Sequence, residues 1–470
     1  MESYKLYVGG NFKETASKIT VVNSYSNQVF AEVSLASANE LETAIKAAQD
    51  VKKTIAHLAS FHRYAILMDI AGLLRTERQR LANVLAMEAC KPVKLALAEV
   101  DRAIQVFVVA AEESKRLPKE YISMDWTPAG QGREGLVKYF PVGLVAGISP
   151  FNFPLNLAVH KIAPAIAAGC PIILKPSSST PLSALELARL VDKTELPKGA
   201  LSVLPMDRKT GNLLVTDERF NLLSFTGSPE VGWKMKSDAG KKKVVLELGG
   251  NAGVIITASA DIGKAVGKCV AGGFSYAGQV CIHTQRIFVH KSIVEDFTAL
   301  FVEKVKQLRQ GAPEHPETDI SAMIDEKNAM RVESWVNEAV AGGARLLCGG
   351  QRKGSFFEPT VISSAKNSMN ICCCEIFGPV VVLEPYEDFE KAVEEVNNSR
   401  YGLQAGVFTD SVAEMDYAFD NLEVGGVIIN NVPTFRTDHM PYGGIKDSGL
   451  GREGVKYAIL DMMEPRLLVK

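Results

Sequence analysis

The sequence has no pair of cysteines at C-x-x-C spacing, although it holds eight: Cys90, Cys170, Cys269, Cys281, Cys348, Cys372, Cys373 and Cys374. It also lacks a secretory signal ahead of them, so reduced thiols in a cytosolic protein are expected. Cys372, Cys373 and Cys374 are adjacent, but three consecutive side chains do not easily converge on one ion. No nearby histidine completes a set, and no metal is expected. No uninterrupted apolar run is long enough to cross a bilayer, which argues against a membrane protein. Residues Met1 to Leu6 carry no apolar targeting core, and a cytoplasmic location follows as an expectation. Neither sign of charge is in excess: 52 Lys and Arg face 54 Asp and Glu, for a net charge of −2. A nucleic-acid partner is therefore not expected. Internal repeats, low-complexity tracts and disordered linkers are also missing.

What is present is the make-up of a soluble globular enzyme, 47% hydrophobic and 23% charged. At 470 residues the chain is too long for one simple core, and two or three domains are expected. Short β-type runs with turn signals open it, such as Leu6-Tyr7-Val8-Gly9-Gly10-Asn11-Phe12. From Ser37 to about Lys115 the spacing is helical, with Ala44, Ala47 and Ala48 on one face. A regular alternation then begins. Strands are expected at Val142–Ile148, Pro171–Lys175, Leu201–Leu204, Leu222–Thr226 and Val244–Leu248. Helices are expected between them at Leu155–Ala168, Ser183–Val191, Thr210–Thr216 and Pro229–Ala239. Continuous apolar strands separated by helices imply a parallel sheet covered on both faces. Such sheets bind nucleotides at the carboxyl ends of their strands. A second α/β region runs from about Asn251 to Gly454. The segment Tyr121–Phe140 and the tail Pro465–Lys470 look like protruding strands of the kind that pair with another subunit.

Two short segments carry the chemistry. Cys281 follows the small and polar run Gly278-Gln279-Val280, which suggests an accessible thiol. Upstream, Glu247 ends an apolar strand and is followed by Leu248-Gly249-Gly250, which suggests a carboxylate held over an open site. A thiol nucleophile and a carboxylate base are the minimum equipment for making and then hydrolysing a thioester.

Further motifs stand in order around these two. They are Pro150-Phe151-Asn152-Phe153-Pro154, Lys175-Pro176, Phe225-Thr226-Gly227-Ser228 with Gly232, Glu375-Ile376-Phe377-Gly378-Pro379, and Pro441-Tyr442-Gly443-Gly444 running on to Gly449. Over essentially its whole length the chain resembles the aldehyde dehydrogenase superfamily. The resemblance implies a fold with a Rossmann-type cofactor domain (1–118 and 142–249) and an α/β catalytic domain (250–454). It also implies a small β oligomerisation segment (119–141 and 455–470) and a homodimer or homotetramer. By the same resemblance Cys281 is the nucleophile, Glu247 the deacylating base, and Asn152 with the Cys281 N–H the oxyanion donors. Lys161 matches a lysine that supports proton relay. Lys175, Gly227, Ser228, Glu375 and Phe377 match cofactor-binding positions.

Cofactor choice and substrate are read from departures. NAD-preferring members often carry a glutamate where this chain has Ser178, and Met206-Asp207-Arg208-Lys209 replaces a common glycine-rich turn. A lost carboxylate beside two cations favours NADP over NAD, unless Arg208 and Lys209 merely cap a helix in solvent. Arg102, Arg436 and His283 are candidates for holding a short anionic aldehyde. The bland alternative pairs Arg102 with Asp101 or Glu99, and Arg436 with Asp438. The expected activity is NAD(P)-dependent oxidation of such an aldehyde to the free acid. Glu247 argues against a coenzyme A-acylating enzyme, and the intact Cys281, Glu247 and Asn152 argue against a catalytically silent structural relative.

Overall fold

The computed structural model describes residues 2–470. Three of the six sheets among the described residues organise the chain. The first has eight strands in the spatial order Gly449–Leu450, Lys243–Glu247, Leu222–Thr226, Val145–Ile148, Ile172–Lys175, Leu201–Val203, Leu6–Val8, Asn11–Lys13. Its five inner strands are parallel, and each flanking strand pairs antiparallel with its inner neighbour. Side chains alternate between the two faces, as strand geometry requires. Val145, Ile172 and Leu222 pack with the helices Ser60–Thr76, Val93–Ser114, Pro154–Ala168 and Leu182–Val191. Ala146, Ile173, Leu223 and Phe225 pack on the opposite side with Ala38–His57 and Arg208–Thr216. This double covering explains why the strands read as continuous apolar runs.

The strand order fixes where the site must be. From Val145–Ile148 the chain builds outward in one direction through Ile172–Lys175 and Leu201–Val203. It then crosses back to lay Leu222–Thr226 on the other side of Val145–Ile148. The reversal opens a crevice beyond the carboxyl ends of these two strands. Facing it is the second sheet, of seven strands in the order Arg345–Cys348, Thr360–Ser363, Val380–Tyr386, Thr284–His290, Ala252–Ile256, Gln404–Phe408, Gly426–Ile429. All pair in parallel except Arg345–Cys348.

The third sheet joins the two segments expected to protrude. One of them is the C-terminal strand Met463–Val469. It pairs within the chain along Glu134–Pro141, from Met463 opposite Pro141 to Val469 opposite Gly135, and Lys119–Ser123 pairs on the other side. The two outer strands keep their free edges, and Tyr121 and Leu468 are exposed. Elsewhere the differences are small. The first inner strand starts at Val145 rather than Val142, because Gly143 turns through φ +123° and Val142 is hydrogen-bonded to the Met462 carbonyl. The helix expected from Thr210 starts at Arg208, because Asp207 caps it by accepting from the Thr210 N–H at 2.7 Å. Among the described residues no helix is long and apolar enough to cross a membrane.

Candidate active site

Cys281 is delivered by an unwound helix end. After Ile262–Phe274 the backbone takes left-handed conformations at Tyr276, Ala277 and Gly278 (φ 49°, 51° and 67°). Such a conformation costs a non-glycine residue roughly 1–2 kcal/mol, so the turn must be held from outside. The buried Tyr276 hydroxyl donates to the Ala89 carbonyl at 2.7 Å, and the Gln279 side chain accepts from the Ile324 N–H at 2.9 Å. Gly278 has no room for a Cβ against the Gly378 carbonyl, which accounts for the Gly278-Gln279-Val280-Cys281 motif. The thiol lies 3.0 Å from the Tyr442 hydroxyl.

Glu247 ends its strand in the crevice. The two glycines that follow are required by close approach: a Cβ on Gly249 would strike the Glu375 carboxylate, and one on Gly250 the Cys281 carbonyl. Leu246-Glu247-Leu248-Gly249-Gly250 is thus the seam along which the strand end, the nucleophile loop and Glu375 meet. The Gly250 N–H donates to Glu375 at 3.0 Å. Asn152 joins from the opposite strand, its side-chain amide donating to the Gln279 carbonyl at 3.0 Å. Its own carbonyl accepts from buried Lys91 at 2.7 Å. Lys91 is ion-paired with Glu99, which also accepts from the Leu155 and Asn156 N–H groups at the start of the next helix.

A cavity of about 540 Å³ unites Asn152, Gly227, Ser228, Glu247, Cys281, Glu375, Phe377 and Arg436. Lys161 is buried behind it, donating to Thr226 at 2.8 Å and Ser224 at 3.1 Å, with the Glu453 carboxylate 3.8 Å away. Burial raises the Glu247 carboxyl well above its usual range, and the nearby Glu453 adds to this; Glu247 Oε1 has no hydrogen-bond partner. Burial pushes the Cys281 thiol up to about 12, and Glu247 adds to that while the Tyr442 hydroxyl opposes it. The thiol opens on the cavity yet holds its proton at rest. Glu375 is likewise pushed up by burial, to about 8.

Arg436 lines the cavity with its guanidinium 3.7 Å over the Tyr442 ring. It donates to Glu453 at 2.9 Å, not to Asp438, and its Nε has no partner. Asp438 is turned the other way, toward Arg102 at 2.7 Å and His160 at 2.8 Å. Arg102 therefore pairs with neither Asp101, which Arg78 holds, nor Glu99, which Lys91 holds. Arg102 is not in the cavity wall.

His283 needs correction as a substrate residue. It is buried with Nε2 on the Gly273 carbonyl at 2.8 Å, and burial lowers it to about 4, so it offers the cavity no cation. Ser178 and Arg208 also lie outside the cavity wall. Ser178 borders a separate cleft of about 920 Å³. Lys175 is half-buried against Gly211; burial lowers its proton affinity, with Asp207 opposing and Arg208 adding to this from the helix start. Asp438 and Glu99 were expected only as ion-pair partners of Arg436 and Arg102, and Tyr442, Glu453, His160 and Lys91 went unnoticed in the sequence. So did Arg331, which lines the cavity stacked on Trp335 and donates to the Ile376 carbonyl at 2.7 Å. Only Tyr442 carried a signal, its place inside a quoted motif. Among the described residues no cluster of His, Cys, Asp or Glu could hold a metal ion.

Known proteins are similar to this chain in sequence and fold. The chain is 42% identical over 470 residues to 3-sulfolactaldehyde dehydrogenase of Priestia aryabhattai, covering all of this chain and 98% of the relative. Aldehyde dehydrogenase 21 from Physcomitrella patens, solved with its reaction product succinate, superposes with a TM-score of 0.99 at 46% identity, covering 100% of this chain and 98% of that one. Glyceraldehyde-3-phosphate dehydrogenase GapN from Methanocaldococcus jannaschii, solved with NADP, gives 0.93 at 38% identity, covering 97% and 100%. Residues 12–468 match the Aldehyde dehydrogenase family. With a match of that extent, over a crevice that joins a strand-end carboxylate to a thiol, the chain belongs to the aldehyde dehydrogenase family.

Proposed function

We propose that this chain oxidises a short anionic aldehyde to its carboxylic acid with a nicotinamide dinucleotide, through a thioester on Cys281. The observation that carries the substrate class is Arg436: a guanidinium in the cavity wall with one carboxylate partner. A carboxylate, sulfonate or phosphate on the substrate suits that cation. The names of the three relatives carry sulfonate, carboxylate and phosphate groups respectively.

The residues fit a nicotinamide dinucleotide. Gly227 and Ser228 lead into the helix Pro229–Asp238 at the cavity wall, a helix N-terminus suited to phosphate. Glu375 would hold a ribose, with Phe377 beside it, and Lys175 with Arg208 would face the adenosine end. Ser178 places no carboxylate against a 2′-phosphate, and one relative is solved with NADP, so NADP is favoured over NAD. When bound, the cofactor supplies the hydride acceptor.

The chain's own residues do the rest. Cys281 gives its proton to Glu247, whose charge acts on it, as it attacks the aldehyde carbon, and the Tyr442 hydroxyl at 3.0 Å stabilises the thiolate that results. The oxyanion formed is held by the Asn152 amide and the Cys281 N–H. Glu247 takes a proton from the water that cleaves the thioester, for which its raised proton affinity suits it. Lys161 lies behind Glu247 to relay protons onward, with the Glu453 carboxylate balancing its charge. Homodimers or homotetramers assembled on the free edges of the third sheet, and a cytoplasmic location, complete the proposal.

A panel of succinic semialdehyde, sulfo- and phospho-aldehydes and propanal against both cofactors, followed at 340 nm, tests it. Anionic aldehydes are expected to have the higher kcat/KM, with free acid released and no need for coenzyme A. Preference for propanal would overturn the substrate class.

A further inference from the structure

Two adjacent thiols outside the chemistry above stand beside the same cavity, and one of them, Cys374, lines it. We propose that Cys373 and Cys374 form a reversible dithiol–disulfide site that controls cofactor binding through Glu375. Their sulfurs are 3.7 Å apart, and both residues are partly exposed, whereas the neighbouring Cys372 is buried. Cys374 is itself part of the cavity wall, and Glu375 follows it directly in sequence.

Glu375 has little freedom. Its carboxylate rests against Gly249, where there is no room for even one added carbon, and accepts from the Gly250 N–H. Gln285 clamps the backbone on both sides of it. Its amide donates to the Cys374 carbonyl at 2.7 Å, and its oxygen accepts from the Ile376 N–H at 3.0 Å. A change in the Cys373–Cys374 peptide therefore acts at once on the residue that would hold the cofactor ribose.

The chemistry balances with a hydroperoxide as oxidant. One thiol takes the terminal peroxide oxygen to become a sulfenic acid, releasing the alcohol, or water if the oxidant is hydrogen peroxide. The second thiol then attacks that sulfur, and water leaves as the S–S bond forms. Two electrons pass from the sulfurs to the O–O bond. Adjacent α-carbons lie about 3.8 Å apart across a trans peptide, closer than the roughly 4.4–6.8 Å usual for a disulfide. Closing the ring must rotate the Cys373–Cys374 peptide out of the helical turn Asn370–Cys373, and so shift the adjoining Cys374 carbonyl that Gln285 holds. The strained ring is also readily reduced, as a reversible site requires.

This rests on reading the Glu375 cavity as the cofactor site, and the test separates the two claims. Cofactor binding is measured by calorimetry in the full-length Cys281→Ala protein, so that oxidation of the nucleophile cannot interfere. Reduced protein that fails to bind NADP or NAD overturns the cofactor reading. After hydrogen peroxide, the tryptic peptide 367–391 is expected to lose two hydrogens, in this protein and with Cys372→Ser added, but not with Cys373→Ser added. The cofactor Kd is expected to rise about tenfold, as for one lost charge-assisted hydrogen bond, and to recover with dithiothreitol. With Cys373→Ser, peroxide is expected to leave the Kd unchanged. Failure to lose the hydrogens, or a disulfide that leaves the Kd of the parent unchanged, overturns the proposal.

Discussion

Replacing Arg436 by alanine is expected to have two separable effects, because the side chain has two kinds of partner. One is the substrate anion. Charge-assisted hydrogen bonds contribute about 1.5–3 kcal/mol each, so the loss is expected to lower kcat/KM for succinic semialdehyde by a factor of about 10 to 150. The other partner is Glu453, which Arg436 engages at 2.9 Å and which, with Lys161, stands behind Glu247. Losing that cation raises the Glu453 carboxyl toward its neutral form and disturbs proton removal for every aldehyde. A common fall in kcat is therefore expected with succinic semialdehyde and with propanal, while the rise in KM is confined to succinic semialdehyde. Arg436→Lys keeps a cation near Glu453 but loses the planar fork, and is expected to restore kcat more than KM. Because breaking one side of a buried pair can cost about 3–5 kcal/mol of stability, a thermal melt accompanies the kinetics. If a folded Arg436→Ala enzyme leaves the succinic semialdehyde to propanal ratio of kcat/KM unchanged, the arginine is a structural partner of Glu453 alone.

Three further outcomes are expected. Alkylation of Cys281 by iodoacetamide in the cofactor-free enzyme should quicken about tenfold per pH unit through pH 8 and 9, because burial holds the thiol up to about 12. A plateau near pH 7 would show that the thiolate already dominates there. Glu247→Gln should give one burst of reduced cofactor per site and then slow turnover, read by stopped-flow absorbance; undiminished steady-state turnover would remove Glu247 from deacylation. Ser178→Glu should lower kcat/KM with NADP by about tenfold or more while sparing NAD, since a carboxylate would oppose the 2′-phosphate; equal loss with both cofactors would place Ser178 away from the ribose.

The sequence made some of this legible and hid the rest for physical reasons. The inner strands of the first sheet were readable because both faces are buried, so their apolar runs are unbroken and the helices between them keep their period. The motif glycines were readable because backbone approaches leave no alternative residue: Gly249 against Glu375, Gly250 against Cys281, Gly278 against Gly378. Pairings between distant segments left no local trace. Arg102 meets Asp438 across 336 positions and Cys281 meets Tyr442 across 161. Arg436 had a carboxylate two residues away and takes Glu453 instead, because Asp438 is already occupied by Arg102 and His160. His283 shows the limit of proximity in sequence. Two residues past Cys281 its ring lies against the Gly273 carbonyl, on the helix side of the chain.

The short strand Gly449–Leu450 has a consequence for how the protein comes into being. It closes the open edge of Lys243–Glu247, with Gly449 opposite Glu247, and Ser448 bonds the Gly249 carbonyl across 199 positions of sequence. Tyr442 and Glu453 arrive with the same stretch. On a ribosome adding about 5–20 residues per second, the sheet that carries Glu247 waits many seconds with that edge unprotected. During that interval it is a template for pairing with another nascent chain. A prematurely terminated chain would have Cys281 and Glu247 but neither the hydroxyl beside the thiol nor the carboxylate behind the base. Competence for the reaction therefore arrives late in translation, and incomplete products are silent.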